Sequence, residues 1–180
     1  NYKLAAETII VQHTKAVPEI HIFHVTLKNG ELKEDVLRCI DKAIPFPLIF
    51  ELRYGGQCKV IAAYKRPSEA DSTKWVVSEY FSTEWIPEGT ARVPLPVALD
   101  LEALYEKLLS PLMPYPAIGK EHLQDRVARI EKICAKRCEL EKSQARLNKE
   151  KQFNRKVEIN AEIRNIKHEI AAMTTATTTG

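Results

Sequence analysis

The spacing of apolar residues divides this chain into two regions of different character. From Lys120 to Met173 the sequence contains neither Gly nor Pro, and apolar residues recur every three or four positions with charged residues between them. This spacing is typical of helices whose apolar stripe packs against another helix. The preceding residues show shorter apolar runs separated by Gly and Pro, which predict a compact α+β unit.

The first 118 residues predict a small, mostly antiparallel sheet with two covering helices. The predicted strands are residues 19–27, 48–54, 59–64 and 75–81, and the predicted helices are residues 31–43 and 101–109. Gly55 and Gly56 predict a tight hairpin turn, because glycine adopts positive φ without steric cost. Asp100 is a favourable N-cap for the second helix. We expect the first helix to cover one face of the sheet and the second to cover the same face or an edge.

The arm, residues 119–173, carries a seam of apolar residues with coiled-coil spacing. The seam consists of Ile133, Leu140, Leu147, Ile159, Ile163, Ile166 and Ile170. Its phase slips between Leu147 and Ile159, which leaves two structures open: one continuous helix with a stutter, or an antiparallel hairpin that folds back near residues 148–154. The phase slip favours the hairpin, but the absence of Gly and Pro favours the continuous helix, which we prefer. Residues 174–180 lack periodicity and are predicted to be disordered.

The seam must be buried in either structure, because an amphipathic helix is stabilised mainly by packing its apolar face. A continuous helix predicts a dimer or a protein partner, whereas a hairpin buries the seam within one chain. The seam is therefore the predicted surface for self-association or for binding another protein.

Charge is distributed unevenly between the two regions. Residues 1–118 contain 13 basic and 15 acidic side chains, whereas residues 119–180 contain 14 basic and 9 acidic ones. A basic segment in the arm predicts contacts with nucleic-acid phosphates through Lys149, Lys151, Arg155 and Lys156. Mixed charges of this kind are also typical of a solvated helix face.

A degenerate metal-dependent nuclease is a further alternative. Nucleases of the PD-(D/E)xK type place an acid before a strand that carries Glu-x-Lys, so that both acids bind Mg²⁺. Asp41 precedes Glu51-Leu52-Arg53 here, and Lys65 ends the next predicted strand. Because arginine does not readily lose a proton, Arg53 is a poor replacement for the lysine.

The remaining chemistry is sparse. The four cysteines, Cys39, Cys58, Cys134 and Cys138, lack the paired spacing of a zinc site and are interpreted as buried free thiols of a reducing cytoplasm. No apolar run is long enough to span a bilayer, and no secretory signal is visible. The absence of a phosphate-binding glycine loop or a nucleophile elbow disfavours an enzyme and predicts no cofactor.

Several stretches resemble a known family. They are Ile40-Asp41-Lys42-x-Ile44-Pro45, Phe81-x-Thr83-Glu84-Trp85 and the segment from Lys149 to Asn160. The chain is similar over most of its length to the uncharacterised bacterial proteins grouped as domain of unknown function 4391. That resemblance implies no catalytic residues, and it implies an extra segment before Asn1. It also implies a genomic neighbourhood of helicase and DNA-methyltransferase genes in restriction-type defence systems.

The sequence therefore predicts a non-enzymatic accessory protein that acts through contacts. The expected partner is a helicase or a DNA methyltransferase, or a second copy of the chain, bound through the arm. A nucleic-acid-binding module and the degenerate nuclease are the alternatives.

Overall fold

A computed structural model describes residues 2–5, 9, 11–71 and 74–175. The chain divides into two units, Asn1–Pro114 and Tyr115–Gly180, called here the body and the hairpin unit. Within the described residues, every helix is too short or too polar to cross a membrane. The architecture is α+β with long C-terminal helices, as the sequence predicts.

The body is built on one six-stranded mixed sheet. Its strands are β1 (Tyr2–Leu4), β2 (Ile20–Thr26), β3 (Leu48–Tyr54), β4 (Gln57–Pro67), β5 (Trp75–Ser82) and β6 (Ile86–Pro87). The order is β1-β2-β3-β4-β5, and β6 pairs with the start of β4. Strands β2 and β3 are parallel, and the other pairs are antiparallel. Parallel neighbours need a long crossover connection, which here contains a helix. The positive φ angles of Gly55 and Gly56 close the β3–β4 hairpin as predicted.

Helix α1 (Glu34–Ala43) covers one face of the sheet. Its Leu37 is buried in a core cluster with Leu48, Phe50 and Leu52 of β3. The helix begins three residues later than predicted, with Glu34 and Asp35 in its first turn. Acidic residues are favourable there because they face the positive end of the helix dipole.

Helix α2 (Leu101–Leu109) covers the opposite face and continues into a short 3-10 helix, Ser110–Leu112. Asp100 caps it, since its carboxylate accepts a hydrogen bond of 2.8 Å from the Ala103 N–H. Leu108 lines a cavity together with Ile49, whose side chain points away from the α1 face because it alternates with Phe50 along β3. The expectation that this helix shares the face of α1 or lies at an edge is therefore wrong.

The hairpin unit contains two antiparallel helices, α3 (Leu123–Lys149) and α4 (Phe153–Thr174). Ion pairs of 2.8 Å join Arg146 to Glu162 and Lys136 to Glu169 across the pair, so α4 runs back along α3. The preference for one continuous helix is therefore wrong. The phase slip was the informative signal, and the absence of Gly and Pro was misleading.

The seam lies within this helix pair. Ile133, Ile159, Ile163 and Ile166 are buried, and Leu140, Leu147 and Ile170 are half-buried. The hairpin thus buries the seam within one chain. A dimer, which a continuous helix would require, is not needed to cover these residues. Thr174 ends α4, whereas residues 176–180 of the predicted disordered tail lie outside the described residues.

The cysteines are free thiols, but the prediction that they are buried is wrong. Cys39, Cys134 and Cys138 are exposed, and Cys58 is half-buried. Cys134 immediately follows the buried Ile133. Because successive helical residues are rotated by about 100°, this places the thiol beside the apolar stripe rather than in it.

Candidate functional site

The turn between α3 and α4 is closed by a side chain rather than by Gly or Pro. Glu150 and Gln152 have extended backbones that end one helix and precede the next. The Glu150 carboxylate accepts hydrogen bonds of 2.8 Å from the Lys151 N–H and 2.9 Å from the Gln152 N–H. One carboxylate oxygen therefore satisfies both backbone donors of the connection.

This turn brings together the four basic residues that the sequence predicts for phosphate contact. Lys149 ends α3, Lys151 lies in the turn, and Arg155 and Lys156 lie in the first turn of α4. All four side chains are exposed, and none of them forms an ion pair with a carboxylate in the described part of the chain. We call these four residues the basic tip.

Glu150 is the acidic residue closest in sequence to the basic tip. Its bonds from the N–H groups of Gln152 and Lys151, together with the charges of Arg155 and Lys156, lower the pKa of its carboxyl. Glu150 is therefore ionised at neutral pH. Even so, residues 149–156 carry a net charge of +3.

Two exposed apolar residues border the basic tip. Phe153 begins α4 and is 77% exposed, and Val157 follows one helical turn later at 50% exposed. Residues four apart lie on the same helix face, so the two side chains are neighbours. Sequence reasoning did not include them in the candidate site, although the signal was present: both are apolar residues that do not continue the seam.

Three basic residues elsewhere in the hairpin unit, Arg129, Lys136 and Arg146, form ion pairs with acidic residues. Arg129 donates hydrogen bonds of 2.8 and 2.7 Å to the Glu121 carboxylate, which lowers the pKa of Glu121. Lys136 pairs with Glu169 and Arg146 with Glu162. The basic tip therefore differs from the helix shaft in the close grouping of its cations, four within eight residues, rather than in their exposure.

The body contains a buried charged cluster, and its contacts are structural. Lys65 is 1% exposed, and its Nζ donates to the backbone carbonyls of Asp41 and Ile44 at the end of α1 and, at 3.3 Å, to the Asp41 carboxylate. Tyr80 donates a hydrogen bond to the other carboxylate oxygen. Burial raises the pKa of the Asp41 carboxyl and outweighs the bonds from Tyr80 and Lys65, which act to lower it. The ammonium group thus caps helix α1 from within the core.

The structure does not form the metal site of the predicted nuclease. Asp41 lies at the end of α1 on one sheet face, whereas Glu51 lines the cavity on the opposite face. The Arg53 guanidinium bonds the Glu51 carboxylate at 2.7 Å. Burial alone would raise the pKa of Glu51, but the bond from Arg53 and the charges of His24 and Arg92 outweigh it and lower the pKa. Two acids on opposite faces cannot share one Mg²⁺.

No group of three or more His, Cys, Asp and Glu side chains among the described residues is placed to hold a metal ion. The cavity that Glu51 lines has a volume of about 410 Å³ and lies on the α2 side of the sheet. Its walls are mainly apolar, with Ile22, Val60 and Leu112 among them. The Glu51 carboxylate there accepts hydrogen bonds from the guanidinium groups of Arg53 and Arg92. The polar group of this cavity is therefore already paired within the protein.

A second exposed apolar feature lies in the body. Between β6 and α2, the alternating residues Val93, Leu95, Val97 and Leu99 are 88%, 46%, 89% and 91% exposed. Pro94 and Pro96 separate them, which favours an extended backbone. We call these four residues the apolar strip. Its exposure is unusual, because apolar side chains in sequence alternation normally have one covered face.

Comparison with known proteins identifies a family but not an activity. No curated protein and no solved structure matches the chain. The family model described as "Domain of unknown function (DUF4391)" matches residues 1–170. Since that match covers nearly the whole sequence, the chain belongs to the domain of unknown function 4391 family.

Proposed function

We propose that this protein binds nucleic acid through the basic tip of its helical hairpin. The observation that carries the proposal is the turn itself, which groups four exposed basic residues within eight positions. None of the four, Lys149, Lys151, Arg155 and Lys156, forms an ion pair with a carboxylate among the described residues. Phosphate groups are the chemical complement of such a cluster, because they are anionic, closely spaced and accept hydrogen bonds.

Electrostatic binding of this kind has a measurable signature. Each phosphate neutralised releases condensed counterions, which makes the affinity fall with salt by a slope of about −0.9 per contact on duplex DNA and about −0.7 on single strands. Four contacts therefore predict a slope of roughly −3 to −4 in log affinity against log salt.

The test is a charge reversal with a matched control. The tip variant changes Lys149, Lys151, Arg155 and Lys156 to Glu. The shaft variant makes the same change at four exposed basic residues of the helices, which are Lys132, Lys142, Arg164 and Lys167. Both variants have the same net charge, so a difference between them reports location rather than total charge.

Binding of labelled DNA and RNA is measured by fluorescence anisotropy from 50 to 300 mM salt. We expect the tip variant to lose binding and the shaft variant to retain most of it. Equal binding by the tip variant and the unmodified protein would contradict the proposal. Circular dichroism of each variant checks that the helices remain folded.

A second candidate function is an accessory subunit that docks on a larger protein. The apolar strip favours it, because Val93, Val97 and Leu99 are almost fully exposed and burying apolar surface stabilises a complex. A helicase or DNA methyltransferase is the partner that the family resemblance implies. The seam no longer supports this reading, since its residues pack within the hairpin.

Affinity purification from the native host tests the accessory function. The bait is the unmodified protein, and the comparison bait changes Val93, Val97 and Leu99 to Ser. Recovery of a helicase or methyltransferase by the first bait and its loss from the second would support docking through the strip. Recovery of neither enzyme by the unmodified bait would count against it.

We further propose a cytoplasmic location, because nucleic acid and these enzymes are found there. The four free cysteines support that location, because exposed thiols such as Cys134 and Cys138 persist in a reducing compartment.

A further inference from the structure

We propose that Phe153 stacks on an unpaired base, so that the hairpin selects single-stranded nucleic acid. The inference rests on the proposed nucleic-acid binding and names the form of nucleic acid that the site takes. It begins from an observation that electrostatics does not explain: a phenyl ring that is 77% exposed lies among the cations of the basic tip.

The ring contributes little to the fold. Phe153 is the first residue of α4 and is absent from the buried core, and all residues from Lys151 to Glu158 are exposed. An exposed phenyl ring gains free energy when a flat apolar surface covers it. The available surface must also tolerate a surrounding charge of +3, which an anionic ligand does.

Nucleic acid with unpaired bases meets both requirements, a flat apolar surface and a negative charge. Cationic side chains hold the phosphates, and aromatic rings stack on base faces. In a duplex the base faces are covered by neighbouring base pairs, so only edges and backbone remain accessible. Phe153 can therefore stack on the exposed base faces of a single strand but not on a duplex. The four cations can bind phosphates of either form.

The residues around Phe153 fit base edges as well. Asn148, Gln152 and Asn154 are exposed amides next to or within the turn. Amide side chains both donate and accept hydrogen bonds, which matches the mixed donors and acceptors of an unpaired base edge. Val157 extends the apolar surface by one helical turn.

A membrane surface is a weaker fit to the same residues. Helices that lie in a bilayer interface bury a continuous apolar face. Here only Phe153 and Val157 are apolar between Lys149 and Glu158, and charged or amide residues occupy the other positions. The area available for insertion is therefore small.

The test measures the affinity of the protein for one nucleotide sequence prepared in three forms: single-stranded DNA, single-stranded RNA and duplex DNA. The variants are Phe153→Leu, which stays apolar but loses the flat ring, and Phe153→Tyr, which keeps the ring. Tyr2→Leu is the matched control, because Tyr2 is an aromatic residue of the body that is 65% exposed. Anionic phosphatidylserine vesicles and polyglutamate are included as competing anions.

We expect the unmodified protein to bind single strands more tightly than the duplex. Phe153→Leu should weaken single-strand binding by roughly 5- to 150-fold, which is the range for loss of one stacked base, and should leave duplex binding unchanged. Phe153→Tyr and Tyr2→Leu should bind as the unmodified protein does. A 2-aminopurine base in the strand should change its fluorescence on binding, and Phe153→Leu should remove that change.

Three results would overturn the inference: equal affinity for strand and duplex, unchanged strand binding by Phe153→Leu, or preferential binding of vesicles or polyglutamate. The tip variant separates this failure from failure of the proposed function. If Phe153→Leu has no effect but charge reversal at the tip abolishes binding, nucleic-acid binding stands and base stacking is wrong. If charge reversal also has no effect, both are wrong. Similar affinities for DNA and RNA would show that the base and phosphate are recognised rather than the sugar.

Discussion

In the body, the charged side chains that the sheet buries are held by partners, whereas at the turn of the hairpin unit the charged side chains meet solvent. Lys65 contacts two helix carbonyls and the Asp41 carboxylate, and Tyr80 holds the same carboxylate. At the basic tip, Lys151 and Arg155 are exposed and form no ion pair with a carboxylate among the residues described.

The difference separates charged groups that folding explains from charged groups that it does not. A buried charge must be paired, because an unpaired one costs several kcal/mol, so the contacts of Lys65 are explained by folding alone. An exposed cluster of like charges next to a phenyl ring gains nothing from folding. This is why we propose that a ligand binds there.

The largest effect is expected from removing the buried ammonium group of the body. Lys65→Met should lower the free energy of unfolding by about 3–5 kcal/mol, because it leaves the Asp41 carboxylate buried without its cation. Urea unfolding followed by tryptophan fluorescence measures this effect, since Trp75 and Trp85 both lie in the body. The exposed Lys42→Met is the control and should change stability by less than about 0.5 kcal/mol. An unchanged midpoint for Lys65→Met would show that this pair does not stabilise the body.

A smaller effect is expected from a cavity in the hairpin unit. Ile163 is 6% exposed, so Ile163→Ala should cost about 2–4 kcal/mol through lost burial and an unfilled cavity. Because the hairpin unit contributes most of the helix, circular dichroism should report the loss while tryptophan fluorescence does not. The half-exposed Val157→Ala is the control. A simultaneous shift of both signals would show that the two units unfold together, which would break the comparison.

An effect of about 1–2 kcal/mol is expected from the ion pair of Glu121 with Arg129, because its hydrogen bonds join charged groups. Arg129 lowers the pKa of Glu121 from its ordinary value of 4.5, so the folded state binds this proton less readily than the unfolded state. The stabilisation is therefore complete above the ordinary pKa and disappears as pH falls through the lower, folded-state pKa. Glu121→Gln should be less stable than the unmodified protein near pH 7. The difference should begin to shrink as pH falls to 4.5 and should vanish below the lowered pKa of the folded state. A difference that does not depend on pH would mean that the charge of Glu121 is not involved; the exposed Glu131→Gln serves as the control.

The smallest effect is expected from one cation of the basic tip. Lys149→Ala should weaken nucleic-acid binding a few-fold and reduce the salt slope by about 1, because one phosphate contact is lost. The exposed Lys142→Ala on the shaft of α3 should leave the slope unchanged. Equal slopes for the two variants would remove the distinction between tip and shaft.

Local chemistry in the sequence was sufficient for much of the body. Gly55 and Gly56 specify a turn that needs positive φ, and Asp100 accepts the Ala103 N–H at the start of α2, so neither feature depends on distant residues. The face that α2 covers was not predictable in this way. It depends on contacts such as the 2.6 Å bond from the Tyr105 hydroxyl to the Ala63 carbonyl, which join residues 42 positions apart.

The candidate site was predictable in part. Its four cations stand close together in the sequence, but the turn that displays them depends on the Glu150 side chain, which no local rule marks as a helix terminator. Phe153 and Val157 were recognisable as apolar residues out of phase with the seam. Their exposure could not be predicted from the sequence, because an apolar residue outside the seam is exposed only if no other part of the chain packs against it.

The way in which Glu150 closes the turn has a consequence for the four cations around it. Its carboxylate accepts hydrogen bonds from the Lys151 and Gln152 N–H groups, and it is the single acidic residue in the sequence between Lys149 and Lys156. The residue that shapes the turn is therefore also the one negative charge of the segment, and it is held against the backbone. One side chain thus serves two ends, satisfying two backbone donors while leaving the segment strongly positive.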